Sequence, residues 1–415
     1  GAGFYYIPGT DTCVKIGGYV RVQAEVGANN GAAPNLDGST TQKDNNRSSN
    51  AYGYRTRGML TADARSQTEY GTLRSYFNFM MEHNDFGFSS GLATDQVNID
   101  TAFLQLGGFV AGLAGSNYNF LSFAGYTYGA NLMSGDSGAL GNPQLAYNLS
   151  LGNGVTATIA IEDAGHKTVG VLDAGTGGIL NTTLATTAMD NGGNRLPDVV
   201  GALSVNQAWG SAQIMGASHV VSPGYYGAGT TTTGPSSETG YAVGAGISLN
   251  VPSMGYNDTV AVQGNYAKGA MRYVTGAGNF SYANGDSIGY GIITDGVFGA
   301  TGGIELTTGW SIGAAYQHGW SKTLKTSLYG GYVDINYNDA ANTLICADIA
   351  TMTVAGGCNN DWSFWQAGSR TSWTPVSNME IGLDILYTKL NSASAGATTT
   401  GVGLSGTPLT TTIAD

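Results

Sequence analysis

Five arginines carry the most pointed chemistry in this chain. Of its nine, six lie within the first 74 of 415 positions, and five of these, Arg21, Arg55, Arg57, Arg65 and Arg74, fall in the first alternating segments. They are in phase with their surroundings: Arg21 shares parity with Lys15, Tyr19, Gln23 and Glu25, while Ile16, Val20, Val22 and Val26 hold the other parity. Successive side chains of a strand point to opposite faces, so each arginine stands on a polar face backed by an apolar one. A row of guanidiniums on one wall, facing an acid, makes a transverse field that orders water and polar solutes and resists apolar ones. The plainer reading, in which the arginines pair with Glu25, Asp63 and Glu82 and tie the wall together, is compatible with it.

Other chemistry is thin. His83, His166, His219 and His318 are far apart, with no two at metal-ligand spacing, and no glycine-rich run ends in Gly-Lys-Ser/Thr. Neither an enzyme nor a cofactor or metal site is expected. With 16 Lys and Arg against 28 Asp and Glu, the net charge of −12 argues against a nucleic-acid partner.

The elements that position the arginines follow from composition. Charged residues make up 11% of the chain and glycines number 66, where a soluble domain carries about 25% charge and about 7% glycine. The longest uninterrupted apolar stretch, Phe109–Ala114, falls far short of the roughly 18 residues of a spanning helix. A membrane is therefore crossed by strands. The alternation continues through 51–65 and 70–82, and Leu145, Tyr147, Leu149 and Leu151 run into an Asn153-Gly154 hairpin followed by Val155, Ala157, Ile159 and Ile161. About fifteen strands are expected, the later ones near 198–206, 209–220, 239–250, 258–272, 309–320, 324–337, 361–374 and 379–390. Loops near 164–197, 221–238, 273–300, 338–360 and 391–415 read as long and polar, against short turns on the other side. All prolines, Pro143 and Pro375 included, are expected outside strand interiors. Strands of about ten residues, apolar outward and polar inward, describe a transmembrane antiparallel β-barrel occupying residues 1–415. Tyr5, Tyr52, Trp209, Trp310, Trp320, Trp362 and Trp373 suit its interfacial girdles.

A wide barrel needs something to narrow it. The third long loop, 116–142, is unusually rich in apolar and aromatic residues, among them Phe120, Phe123, Tyr126, Tyr128, Leu132 and Met133. Those need a wall to pack on, so the loop is expected to fold inward as a constriction, with Asp136, its sole charge, opposite the arginines. Tyr19 and Gln23 join as lumen-wall groups. Cys346 and Cys358, twelve apart in a polar segment, suggest a loop disulfide, which leaves Cys13 over.

The opening Gly1-Ala-Gly-Phe-Tyr-Tyr-Ile-Pro-Gly-Thr-Asp-Thr-Cys-Val-Lys-Ile-Gly-Gly-Tyr-Val-Arg resembles the N-terminal signature of the alphaproteobacterial, Rhizobiales-type porins, which include the Brucella and Bartonella porins. Ser327-Leu-Tyr-Gly-Gly-Tyr-Val-Asp, Asp361-Trp-Ser-Phe-Trp-Gln-Ala-Gly-Ser-Arg and Ala102-Phe-Leu-Gln-Leu-Gly-Gly-Phe-Val-Ala-Gly are similar to the same family. The resemblance implies a sixteen-stranded homotrimer in the bacterial outer membrane, among lipid and lipopolysaccharide, passing ions and small hydrophilic solutes. It also implies an earlier segment with a partner for Cys13 and a closing strand beyond 391–415, so a chain trimmed at both ends is expected. A surface adhesin using its long loops is the alternative.

Overall fold

The computed structural model describes residues 3–26, 52–84, 94–129, 141–174, 190–224, 234–284, 287–299, 302–348, 353–355, 357–400 and 410–414. Sixteen strands pair antiparallel in chain order: β1 (Tyr5–Tyr6), β2 (Thr12–Val26), β3 (Tyr52–Thr68), β4 (Gly71–Asn84), β5 (Thr94–Leu106), β6 (Phe109–Ala114), β7 (Asn142–Gly152), β8 (Val155–Glu162), β9 (Asp198–Gln207), β10 (Gly210–Val221), β11 (Glu238–Asn250), β12 (Thr259–Lys268), β13 (Thr308–Gly319), β14 (Leu324–Asn336), β15 (Trp362–Val376) and β16 (Met379–Asn391). Fifteen run from six to seventeen residues, the number the alternation implies, and the two-residue β1 is the sixteenth. The hairpins sit on one side of the sheet. At β7–β8, Asn153 and Gly154 take φ of 50° and 75°, the two positive values that a tight primed turn requires.

Each wall strand keeps its two faces apart. Val20 and Ile385 are 78% and 65% exposed on the outward phase, a surface that lipid covers in a barrel of this kind. The inward phase differs from place to place. On β7–β13 it carries Ala146, Ala160, Ala217, Ala242, Ala261, Ala267 and Ala315, all buried in one cluster with residues from the loops.

Those loops correct three expectations. The 273–300 segment is not simply polar: Tyr273, Val274, Ile292, Ile293, Val297 and Phe298 are buried, because the loop ends pair with one another. Val171–Asp173, Gly296–Phe298 and Glu305–Leu306 form a three-stranded sheet, and Phe280–Asn284, Ser287–Gly291, Thr410–Ile413, Thr398–Thr400 and Thr353–Ala355 a five-stranded one. Segment 338–360 contains helix α1 (Asp339–Asp348), which the Cys346–Cys358 disulfide ties to the approach to β15. The strand expected over 258–272 ends at Lys268, where the chain turns into Met271–Tyr273. Two prolines also lie inside strands. Pro143 is the second residue of β7, and Pro375 sits in the irregular register between Trp373 and Val376 of β15. Both are sites where a ladder tolerates a missing N–H, a strand start and a bulge.

Candidate functional site

The arginines of β2 and β3 face inward beside one another. Arg21 lies opposite Arg57, and Gln23 opposite Arg55, in the β2–β3 register. Like charges so close repel, and the neighbouring groups divide them. Arg57 Nε pairs with Glu82 at 2.5 Å. Arg55 donates to Gln23 Oε1 at 2.6 Å, and the Gln23 amide bonds Glu25 in turn. Arg21 has no carboxylate within 4.0 Å among the described residues; it donates to the Tyr128 carbonyl at 2.8 Å and faces the Tyr128 ring at 5.7 Å. Arg65 and Arg74, directly opposite each other near the β3–β4 hairpin, converge on Asp63 at 2.9 and 3.0 Å. The five thus form two groups, an inner one around Arg21, Arg55 and Arg57 and a second fastened to Asp63. Asp136, together with Leu132 and Met133, lies outside the described residues.

Segment 116–129 follows the inner wall in barrel order. Its backbone begins at β8, where Glu162 accepts the Asn117 N–H at 2.8 Å, and at β10, whose Gln213 donates to the Asn117 carbonyl. Tyr118 then packs against Gly244 and Phe120 against Gly246 of β11, where a Cβ would collide with the ring or its hydroxyl. Leu121 N–H donates to Gln263 of β12 at 2.7 Å. Arg370 of β15 donates to the Gly125 carbonyl and lies 4.8 Å from the Tyr128 ring centroid. Asp384 of β16 accepts from Thr127 Oγ1, Tyr128 N–H and Gly129 N–H on one oxygen, at 2.5, 2.6 and 3.3 Å, and from Tyr329 Oη on the other at 2.6 Å. Tyr128 Oη donates to Glu380 at 2.5 Å; burial and that carboxylate push the phenol up to about 12, so it remains a donor at ordinary pH. The tip therefore joins the two ends of the strand order, with Asp384 on one side and Arg21 on the other.

Arg370 and Asp384 are the site residues that sequence reasoning missed. They are cross-strand partners, and both occupy the inward phase of their strands, the signal that could have found them. It also missed three Gly-x-Ser-x-Gly strings, at 87–91, 285–289 and 309–313. The last lies within β13 rather than at a strand-to-helix elbow, and Asn265 donates to the Ser311 hydroxyl at 3.1 Å. Among the described residues no His, Cys, Asp and Glu group is arranged to hold a metal. Cys13 is free.

A family model described as porin subfamily matches residues 1–406. The chain belongs to that family. It is an all-β outer-membrane barrel of a family of channels. Similar proteins include the porin Omp2b of Brucella suis biovar 1 and of Brucella abortus strain 2308, each 30% identical over 217 residues, 51% of this chain and 52% of theirs. The chain thus matches about half the length of these curated relatives. Among solved structures, the outer membrane channel DcaP of Acinetobacter baumannii is similar at a TM-score of 0.60 and 16% identity, covering 98% of this chain and 96% of that one. That likeness concerns the fold alone.

Proposed function

We propose that this porin is a general diffusion channel, passing ions and small hydrophilic solutes through water held between the β2–β4 wall and the inner segment 116–142. The observation that carries the reading is the course of 116–129, fastened strand by strand from β8 to β16 and ending on Arg21. A segment held by that many bonds narrows the lumen at a fixed depth. Arg21, Arg55 and Arg57 line the remaining passage, Tyr19 and Gln23 orient them, and Arg65 and Arg74 stiffen the same wall nearer the hairpins through Asp63. Asp136 supplies the facing charge. The working assembly is a homotrimer among outer-membrane lipid and lipopolysaccharide, with no cofactor.

The test is electrical. Purified protein added to a planar bilayer should give discrete, ohmic conductance steps in groups of three. A protein that enters the bilayer and carries no current overturns the proposal and leaves surface attachment as the role of the loops.

A further inference from the structure

At the far end of the wall from the hairpins, three ionisable side chains face inward on adjacent strands. They are Glu162 on β8, Asp198 on β9 and His219 on β10, and all three are buried. Each reaches a different crossing segment or a partner of one. Glu162 holds the start of the 116–129 segment. Asp198 accepts from His219 Nδ1 at 2.8 Å and from Tyr273 Oη at 2.6 Å. His219 Nε2 makes no hydrogen bond, although it is buried and lies 3.9 Å from Asp295 Oδ2. Asp295 in turn fixes two loops, accepting Met271 N–H at 2.8 Å, Val169 N–H at 2.7 Å and Gly170 N–H at 3.2 Å.

The remaining charged groups nearby are Lys167, whose ammonium lies 4.9 Å from the Tyr273 ring centroid, and Arg272, whose guanidinium is turned to the Gly276 and Ala277 carbonyls. Across β11 the residue opposite His219 is Gly240, which adds no charge.

An imidazole between two carboxylates has one satisfactory state. With a proton on Nδ1 alone, the Nε2 lone pair faces Asp295; with a proton on Nε2 alone, the Nδ1 lone pair faces Asp198 at hydrogen-bond distance. The imidazolium alone presents an N–H to each. In a buried site both the unmatched lone pair and the uncompensated carboxylate are costly. We propose that His219 is a proton-operated latch: charged, it fastens segments 164–173, 270–284 and 287–298 to the barrel wall, and neutral, it lets them loosen. The consequence for conduction rests on the reading of the protein as a channel, and is that current rises as pH rises.

The latch is read directly by hydrogen exchange of the 169–173, 271–284 and 287–298 amides in detergent-solubilised full-length protein. Measurements are made at about pH 5.5 and about pH 9.5, the upper value well above the ordinary imidazole range because two carboxylates favour the charged form, and corrected for intrinsic exchange rates. Protection there should fall roughly tenfold between the two, while the wall strands stay unchanged. His219→Gln, which cannot titrate, should abolish the step. A flat wild-type profile, or a step that survives in His219→Gln, overturns the proposal. If that variant does not fold, Asp295→Asn serves: removing the second carboxylate should shrink the step, and an undiminished step overturns the latch. Bilayer conductance at the same two pH values separates the two readings. An exchange step in a protein that never conducts upholds the latch and overturns the channel.

Discussion

Two sectors of the barrel interior are built on the same alternation and become opposite in kind. On β2–β4 the inward phase carries Arg21, Arg55, Arg57 and Glu82, long charged side chains that need water or a partner. On β7–β13 it carries, between hydrogen-bonded polar groups such as Glu162, Gln263 and Asn265, a succession of alanines, with Gly244 and Gly246 among them, and none of Ala146, Ala160, Ala217, Ala242, Ala261, Ala267 and Ala315 is more than 8% exposed. Small inward residues leave a shelf about one side chain deep, and the rings of Tyr118, Phe120 and Phe123 fill it. Burying those rings is favourable by about 25 cal/mol per Å² of apolar surface, whereas burying unpaired guanidiniums opposite would be costly. Inward side-chain volume therefore decides which side of the lumen is protein and which is water.

The sharpest way to break this division is to free the inner segment from its far anchor. Asp384→Ala removes the acceptor of Thr127, Tyr128, Gly129 and Tyr329 and leaves Arg370 without its cross-strand acid. Hydrogen bonds to a charged acceptor are worth about 1.5–3 kcal/mol each, so losing these together costs several kcal/mol, less where lumen water reaches the freed donors. The 125–129 amides should lose protection in hydrogen exchange and single-channel current should become larger and noisier. Current indistinguishable from wild type would show that the tip is held elsewhere. Asp384→Asn keeps the shape and should give a weaker version, about 1–2 kcal/mol.

A second variant acts on the shelf itself. Gly246→Val puts a side chain where the Phe120 ring lies and should destabilise the barrel by about 1–3 kcal/mol through overpacking, read as a lower unfolding temperature in detergent. The neighbouring Ala245→Val, on the outward phase, should stay within about 0.5 kcal/mol of wild type. Equal losses at 245 and 246 would mean that the two faces are not distinguished as described.

The part of this arrangement written locally in the chain was the part that could be read. Period-2 alternation is a nearest-neighbour signal, so the strands, their phase and the inward arginines follow from residues a few positions apart. The anchors of the inner segment do not: Asp384 binds Thr127 and Tyr128 across 257 and 256 positions, and Arg370 binds Gly125 across 245. Nothing near 127 indicates which strand will receive it. The loop cores were hidden for a related reason. Tyr273, Ile292, Val297 and Phe298 are scattered among Gly, Ser, Thr and Asn, and become a core only when strands from separate loops pair. The fold's demand for glycine was partly visible. Gly244, Gly246, Gly368 and Gly382 all stand inward where an aromatic side chain from the inner segment or a neighbouring strand takes the space, so inward glycine marks what the wall must accommodate.

On the water side, Arg55→Gln with Arg57→Gln tests whether the charges act on solutes or only on the wall. Arg57 is ion-paired with Glu82, so removing both guanidiniums also exposes a carboxylate to the passage. At about 0.5–1 kcal/mol for each partly screened charge, the cation-to-anion permeability ratio should rise roughly fivefold, measured as a reversal potential in a salt gradient. An unchanged reversal potential would assign both arginines to wall stiffening, alongside Arg65 and Arg74.

The smallest effect is expected at Asp136. In the proposed arrangement one carboxylate would face several arginines, so its removal alters the field less than the loss of two guanidiniums, and salt screens it beyond about 8–10 Å. Asp136→Asn should therefore move the permeability ratio in the opposite direction, toward anions, by about twofold, and more at low ionic strength than at high. That salt dependence is the informative part. A shift that grows as salt falls marks a charge acting across water on the arginine sector; no shift at any ionic strength removes Asp136 from the passage, leaving Glu82 and Glu25 on the wall itself to face the arginines.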